Sequence, residues 1–284
     1  MRRMDFSDHR RDLGDNRYVY AVVSRRVGGL SIGINLNVDK ACNFDCPYCQ
    51  VDRRLPGGPR EIDVAVLEQE LDHLLALATT DELWTIAPFD TTDPALRRVG
   101  DISLAGDGEP TAAKEFSEVV SAVGRIRARH GLEHVPLSVL TNATLFHRPM
   151  VREGLESLDR LNGRIWAKLD AGTEAYFHQV DGTKLPFQRV LDNLSWASQQ
   201  WPIMLQCMFH SWDGQAPPAA EIGAWAQRVR DLLGAGGSLS EIQIYTVARA
   251  PADPRVGPLT SAQLQEIAAQ VEGLGVRLNV VGLS

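Results

Sequence analysis

Cys42-Asn43-Phe44-Asp45-Cys46-Pro47-Tyr48-Cys49 gathers three of the chain's four cysteines into eight residues, at the spacing C-x3-C-x2-C. Such crowding in a chain without a disulfide pattern points to metal. Thiolates are soft ligands suited to zinc and to iron-sulfur clusters, and a closed structural site of either kind takes four ligands. Three thiolates leave one coordination position open, where a substrate or cofactor can bind. The competing reading is a zinc site completed by Cys207 or a histidine. It fits the spacing poorly, because structural zinc sites pair two C-x2-4-C units or add His-x3-5-His, and no second pair exists here. Cys207 stands alone in the apolar stretch 203–209, a setting for a buried structural thiol.

The motif follows an apolar run at 30–36, and similar β-branched runs recur at 101–105, 137–141, 164–169, 203–209, 241–245 and 276–280. Between them lie segments of helical period at 63–78, 112–130, 149–158, 187–200, 218–233 and 261–272. Alternation of this kind predicts βα units and a parallel sheet. About six units suit a partial (β/α)6-type barrel of parallel strands with outer helices, an α/β fold whose site lies at the C-terminal strand ends. The Pro/Gly-rich stretches 55–59, 87–94 and 250–258 read as loops. We expect one barrel over residues 29–284, preceded by an N-terminal extension, 1–28.

With 284 residues, 44% of them hydrophobic, the chain can bury one large core. No apolar run reaches the ~18 residues of a spanning helix, and residues 1–11 are charged rather than signal-like. A cytoplasmic protein that does not enter membranes is the expectation. The net charge of -7 is uneven: residues 1–60 carry eleven Lys+Arg against seven Asp+Glu. The pairs Arg2/Arg3, Arg10/Arg11, Arg25/Arg26 and Arg53/Arg54 are the only basic footprint a nucleic acid could use, and most of them read as ordinary solvated arginines.

A second motif, Ala105-Gly106-Asp107-Gly108-Glu109-Pro110-Thr111, closes the second predicted strand. A C-x3-C-x-aromatic-C loop after a first strand, followed by such a segment, resembles the radical S-adenosylmethionine (SAM) superfamily. More narrowly, 24–26, 31–34, Leu140-Thr141-Asn142 and 244–251 resemble the branch that includes the tRNA wyosine-base synthases. The resemblance implies one 4Fe-4S cluster on Cys42, Cys46 and Cys49, and SAM as the second cofactor. It further implies that the Gly-Gly-Glu-like segment, here Asp107, Gly108 and Glu109, holds the methionine ammonium, and that Tyr48 lies near the adenine. Wyosine-base synthases carry a second cluster on cysteines ahead of this motif, and no cysteine precedes Cys42.

Other strand-end polar residues complete the expected site. Thr141, Asn142 and Asp170 are placed to bond the ribose and the methionine carboxylate, or else to cap helices. Lys168 shares a strand face with Asp170. It reads as an ion pair within the barrel, an ammonium facing the SAM carboxylate, or a Schiff-base nucleophile. His210 is a candidate substrate-side acid or base, and Arg249 an anion contact. The expected activity is cleavage of SAM to a 5'-deoxyadenosyl radical that abstracts hydrogen from a small molecule. An external one-electron reductant is required. Modification of a tRNA base and glycyl-radical activation of a partner enzyme are the alternatives, and a metal-stabilised binding module is the non-enzymatic one.

Overall fold

The computed structural model describes residues 16–24, 27–249, 251 and 253–282. The Arg2/Arg3, Arg10/Arg11 and Arg25/Arg26 pairs lie outside the described residues. In chain order the strands and helices are β1 (Val19–Ser24), β2 (Gly29–Ile34), α1 (Val64–Thr79), β3 (Val99–Leu104), α2 (Phe116–Arg129), β4 (Leu137–Thr141), α3 (Pro149–Arg160), β5 (Arg164–Lys168), α4 (Glu174–Val180), α5 (Phe187–Gln200), β6 (Ile203–Met208), β7 (Ser211–Trp212), α6 (Ala219–Gly234), β8 (Leu239–Tyr245), β9 (Val256–Gly257), α7 (Ser261–Ala269) and β10 (Arg277–Val281).

Eight strands form one sheet in the order β1-β2-β3-β4-β5-β6-β8-β10. From β2 onward every neighbouring pair is parallel, joined by helical crossovers, whereas β1 runs antiparallel to β2. β1 and β10 are opposite edges of the sheet, so the barrel is partial. β7 and β9 make a separate two-stranded ribbon.

Period-two alternation sorts the strand residues. Leu30, Ile32, Ile34, Ile102, Leu104, Leu137, Val139, Leu205, Cys207, Ile242 and Ile244 are buried in the main core with the helices. Between them, Ser31, Ser103, Ser138, Gln206 and Gln243 line a cavity of about 510 Å³ on the concave face. Cys207 is thus a core residue, as its apolar surroundings predicted, and burial raises its thiol pKa.

The strand and helix positions follow the sequence reading, with several differences, among them the β7/β9 ribbon, whose β9 lies in the expected loop at 250–258. β1 was not expected: it lies within the segment read as an extension. The Glu70 carboxylate of α1 accepts the backbone N–H of Arg17, Tyr18 and Val19 at 2.7–3.0 Å, which anchors that edge. α2 starts at Phe116 rather than 112, because Glu109 and Pro110 first set a 3-10 turn, Pro110–Ala112, with the Glu109 side chain as its cap. The expected loop at 87–94 contains a further 3-10 turn, Phe89–Thr91. The short helix α4 was missed entirely.

Candidate functional site

Three thiols, Cys42, Cys46 and Cys49, line one cavity of about 170 Å³ at the C-terminal end of the strands, together with Tyr48, Arg53, Asp107, Gly108, Glu109, Thr141, Asn142, Lys168 and Gln206. Residues separated by more than 150 positions meet there because parallel strands deliver every βα loop to the same edge. Close backbone approach joins the two motif loops. A Cβ on Gly108 would fall 2.1 Å from the Ala41 carbonyl oxygen and 2.8 Å from the Asn37 Cβ, so only glycine lets the Gly-Asp-Gly-Glu turn lie against the cysteine loop. A second pin is Gly182, with φ +58°, whose missing Cβ leaves room for the Asp45 carbonyl.

Among the described residues no three His, Cys, Asp or Glu side chains could hold a single metal ion. Three thiols line this cavity, and the remaining cysteine, Cys207, is in the core. That donor set fits a cluster ligated by three thiolates better than a four-ligand zinc site. Burial raises the Cys42 thiol pKa and lifts that of Cys46 well above the usual range. Loading metal therefore has to displace protons.

Glu109 is 2% exposed and surrounded by neutral donors. Its Oε1 accepts the Thr111 N–H at 3.1 Å, the Thr111 hydroxyl, and the Thr141 hydroxyl at 2.6 Å; its Oε2 accepts the Asn142 N–H at 2.7 Å. Burial still raises the Glu109 pKa against those four bonds. Thr141 and Asn142 thus hold the carboxylate. The Asn142 amide donates to Asn43 Oδ1 at 2.6 Å and accepts from the Thr144 hydroxyl at 2.7 Å, tying the strand-β4 end to the cysteine loop. Asp107 is tied to Asn35, which donates to its carboxylate at 2.8 Å.

Lys168 and Asp170 form an ion pair of 2.8 Å, with the Asp170 side chain fully buried. Asp170 also accepts the Tyr48 hydroxyl and the Met208 N–H at 2.9 Å. Burial acts to lower the Lys168 pKa, but Asp170 and other nearby acidic groups outweigh it and hold the ammonium well above its ordinary range. The same ammonium sits 4.8 Å from the centre of the Tyr48 ring. Asp170 does not line the cavity; it lies behind Lys168 and Tyr48.

His210 is 2% exposed, beside the Tyr48 ring at 5.6 Å between centres. Its Nδ1 faces the Ser211 carbonyl at 3.1 Å, its Nε2 is buried without a partner, and burial lowers its pKa. Arg249 is exposed, donating to Gln50 at 3.3 Å. Neither lines the 170 Å³ cavity. The expected common cavity thus holds the cysteines, Gly108, Glu109, Thr141, Asn142 and Lys168, but not Asp170, His210 or Arg249.

Three polar residues of this region escaped the sequence reading. Asp181, 2% exposed, accepts the Cys46 thiol at 3.7 Å and the Tyr48 hydroxyl at 3.3 Å. Glu221 of α6 accepts from Gly172 and Thr173, fixing the loop after Asp170. Arg53 donates to Cys49 Sγ at 3.2 Å. Asp181 ends an unpredicted helix, Glu221 looks like an ordinary acid in a helix's first turn, and Arg53 looks like half of a surface pair.

The profile of the Radical SAM superfamily matches residues 36–210, more than half of the chain. A UPF0026 protein of Synechocystis is 30% identical over 153 residues, covering 52% of this chain and 47% of the relative. The chain spans about half the length of this and other curated relatives it matches. Among solved structures, a radical SAM methyltransferase from Sphaerobacter thermophilus aligns with a TM-score of 0.61 at 12% identity, over 93% of this chain and 69% of that one. TYW1 with a lysine-pyruvate adduct bound aligns with a TM-score of 0.55 at 14% identity, over 85% and 72%. At such identities these structures speak for the fold alone, and it is the same α/β fold. The profile match runs from just before the cysteine loop to just past β6, so it takes in both motifs and strands β3 to β6: the chain belongs to the Radical SAM superfamily.

Proposed function

We propose that this enzyme carries one 4Fe-4S cluster on Cys42, Cys46 and Cys49 and uses SAM, its ammonium on Glu109, to abstract hydrogen from a small-molecule substrate. The observation that carries this reading is the meeting of three thiols and one buried carboxylate in a single cavity. Reduced, the cluster would supply the electron that cleaves the SAM sulfonium and so gives the 5'-deoxyadenosyl radical. The chain's own residues hold and shield. Glu109 Oε2 has one protein donor against three on Oε1, which leaves it capacity for an incoming ammonium. Gly106 and Gly108 let the turn pack against Asn35 and Ala41, and Thr141 and Asn142 keep the carboxylate oriented. Tyr48, fixed through its hydroxyl, offers a ring face towards the adenine.

Lys168 is the cavity's ammonium on the β5 side, suited to a carboxylate. A Schiff base would require it to give up a proton that Asp170 favours, so the electrostatic reading is the better supported. His210, whose Nε2 is buried without a partner, and Arg249, exposed beside Gln50, line neither this cavity nor the lumen, so no substrate contact is assigned to either. Leu140 and Gln206 line both the 170 Å³ cavity and the 510 Å³ lumen, which makes the lumen the adjoining space for substrate. Its serines, glutamines and Asn279 favour a polar, metabolite-sized molecule over a polymer. Residues 29–284 contain all these groups and are proposed as the catalytic unit.

Anaerobic reconstitution tests the proposal. About four irons per chain are expected, since a single three-cysteine group is present. Cys42→Ala, Cys46→Ala and Cys49→Ala each lose the cluster, and Cys207→Ala keeps it. Eight irons, or zinc in place of iron, would refute the reading.

A further inference from the structure

Arg53 and Arg54 are neighbours in sequence and opposites in place. Arg54 is exposed, with its side chain 82% accessible, and pairs with Asp52 at 2.8 Å. Arg53 turns inward. Its Nη1 donates to Cys49 Sγ at 3.2 Å, its Nη2 donates to the Asp107 carbonyl at 3.3 Å, and its Nε is buried with no partner. It also lines the cavity of the three thiols. A buried donor without a partner is costly, and an arginine with only a packing role would avoid that cost by reaching solvent as Arg54 does. The inward position therefore calls for a compensating interaction, and the Cys49 sulfur supplies it.

We infer that Arg53 is a positioning residue whose guanidinium, bonded to the Cys49 thiolate, raises the reduction potential of the cluster. This rests on the reading that Cys42, Cys46 and Cys49 hold that cluster. Reduction adds one negative charge to the iron-sulfur unit. A permanently charged donor on a ligand sulfur stabilises the reduced state more than the oxidised one, and potentials of such clusters follow hydrogen bonds to sulfur and local charge. The bond to the Asp107 carbonyl fixes the guanidinium plane. It also links the cluster's Cys49 side to the Gly-Asp-Gly-Glu turn, so one side chain touches both motifs.

The test is a potentiometric titration of the anaerobically reconstituted full chain, followed by electron paramagnetic resonance of the reduced cluster. Arg53→Gln should keep the wild-type iron content and shift the midpoint downward. A tenfold lower ratio of reduced to oxidised cluster at a fixed poise corresponds to ~59 mV for one electron. Arg53→Lys, which keeps charge but not the two-pronged geometry, should shift less, and Arg54→Gln not at all. An unshifted midpoint in Arg53→Gln overturns the inference, as does loss of the cluster from both Arg53 variants, because the three thiolates are held to suffice for binding. Wild-type protein that takes up no iron would instead overturn the proposed function, so the two failures are distinguishable.

Discussion

Glu109 and Asp170 are both buried carboxylates, just past the ends of β3 and β5, yet they are satisfied in opposite ways. Asp170 has a cation, Lys168, at 2.8 Å. Glu109 has hydroxyls and backbone N–H groups alone, four bonds in all. A carboxylate already paired with an ammonium gains little from a second one, whereas a carboxylate held by neutral donors keeps its charge available to a cationic ligand. Two similar acids, at strand ends with β4 between them, thus divide into one with an ammonium partner and one proposed to take an incoming ammonium.

The comparison breaks most sharply at Lys168. Lys168→Met leaves Asp170 buried without its cation, and loss of one partner of a buried pair costs ~3–5 kcal/mol. Urea unfolding should show that loss, and adding Asp170→Asn should recover part of it. Equal stability of the single variant and the wild type would show that the pair is not what holds Asp170 in place.

Glu109→Gln addresses the other side. Removing a charge-assisted bond of ~1.5–3 kcal/mol should weaken SAM binding roughly ten- to hundred-fold while iron content stays unchanged. Calorimetry on the reconstituted protein measures it, and unchanged affinity would move the ammonium site elsewhere.

A smaller effect concerns pH. The Glu109 pKa is raised in the folded chain, so between the ordinary carboxylate value and the folded one the native state binds the extra proton. Stability from this group therefore falls as pH rises through that window, opposite to the usual salt-bridged acid. Glu109→Gln removes that slope, whatever its stability at any one pH. Unfolding free energies measured from pH 4 upward for both proteins check the sign.

The legible parts of this molecule were those encoded by local spacing. C-x3-C-x2-C reads as a three-ligand site because its chemistry is contained in eight residues. Alternating apolar residues placed every parallel strand within a few positions, and Gly108-Glu109 stood out as a glycine turn at a strand end. What stayed hidden depends on distant partners. The contact between Asp181 and Cys46 spans 135 positions and hangs on α4, seven residues long and too short for a periodic signal. β1 hid within the stretch read as an N-terminal extension; its place depends on Glu70, 51–53 residues away. Arg53 and Arg54 are the same residue type side by side, and only the fold separates the one that turns in.

The wall shared by the cavity and the lumen also bears on how such an enzyme can change over generations. Ser31, Ser103, Ser138 and Gln243 line the lumen without lining the chamber of the thiols and Glu109. Residues without shared partners tend to contribute independently. On the proposed function, substitutions there would alter which molecule is accepted while the chamber of the thiols and Glu109 is inherited intact, a separation of taste from chemistry between two floors of one barrel.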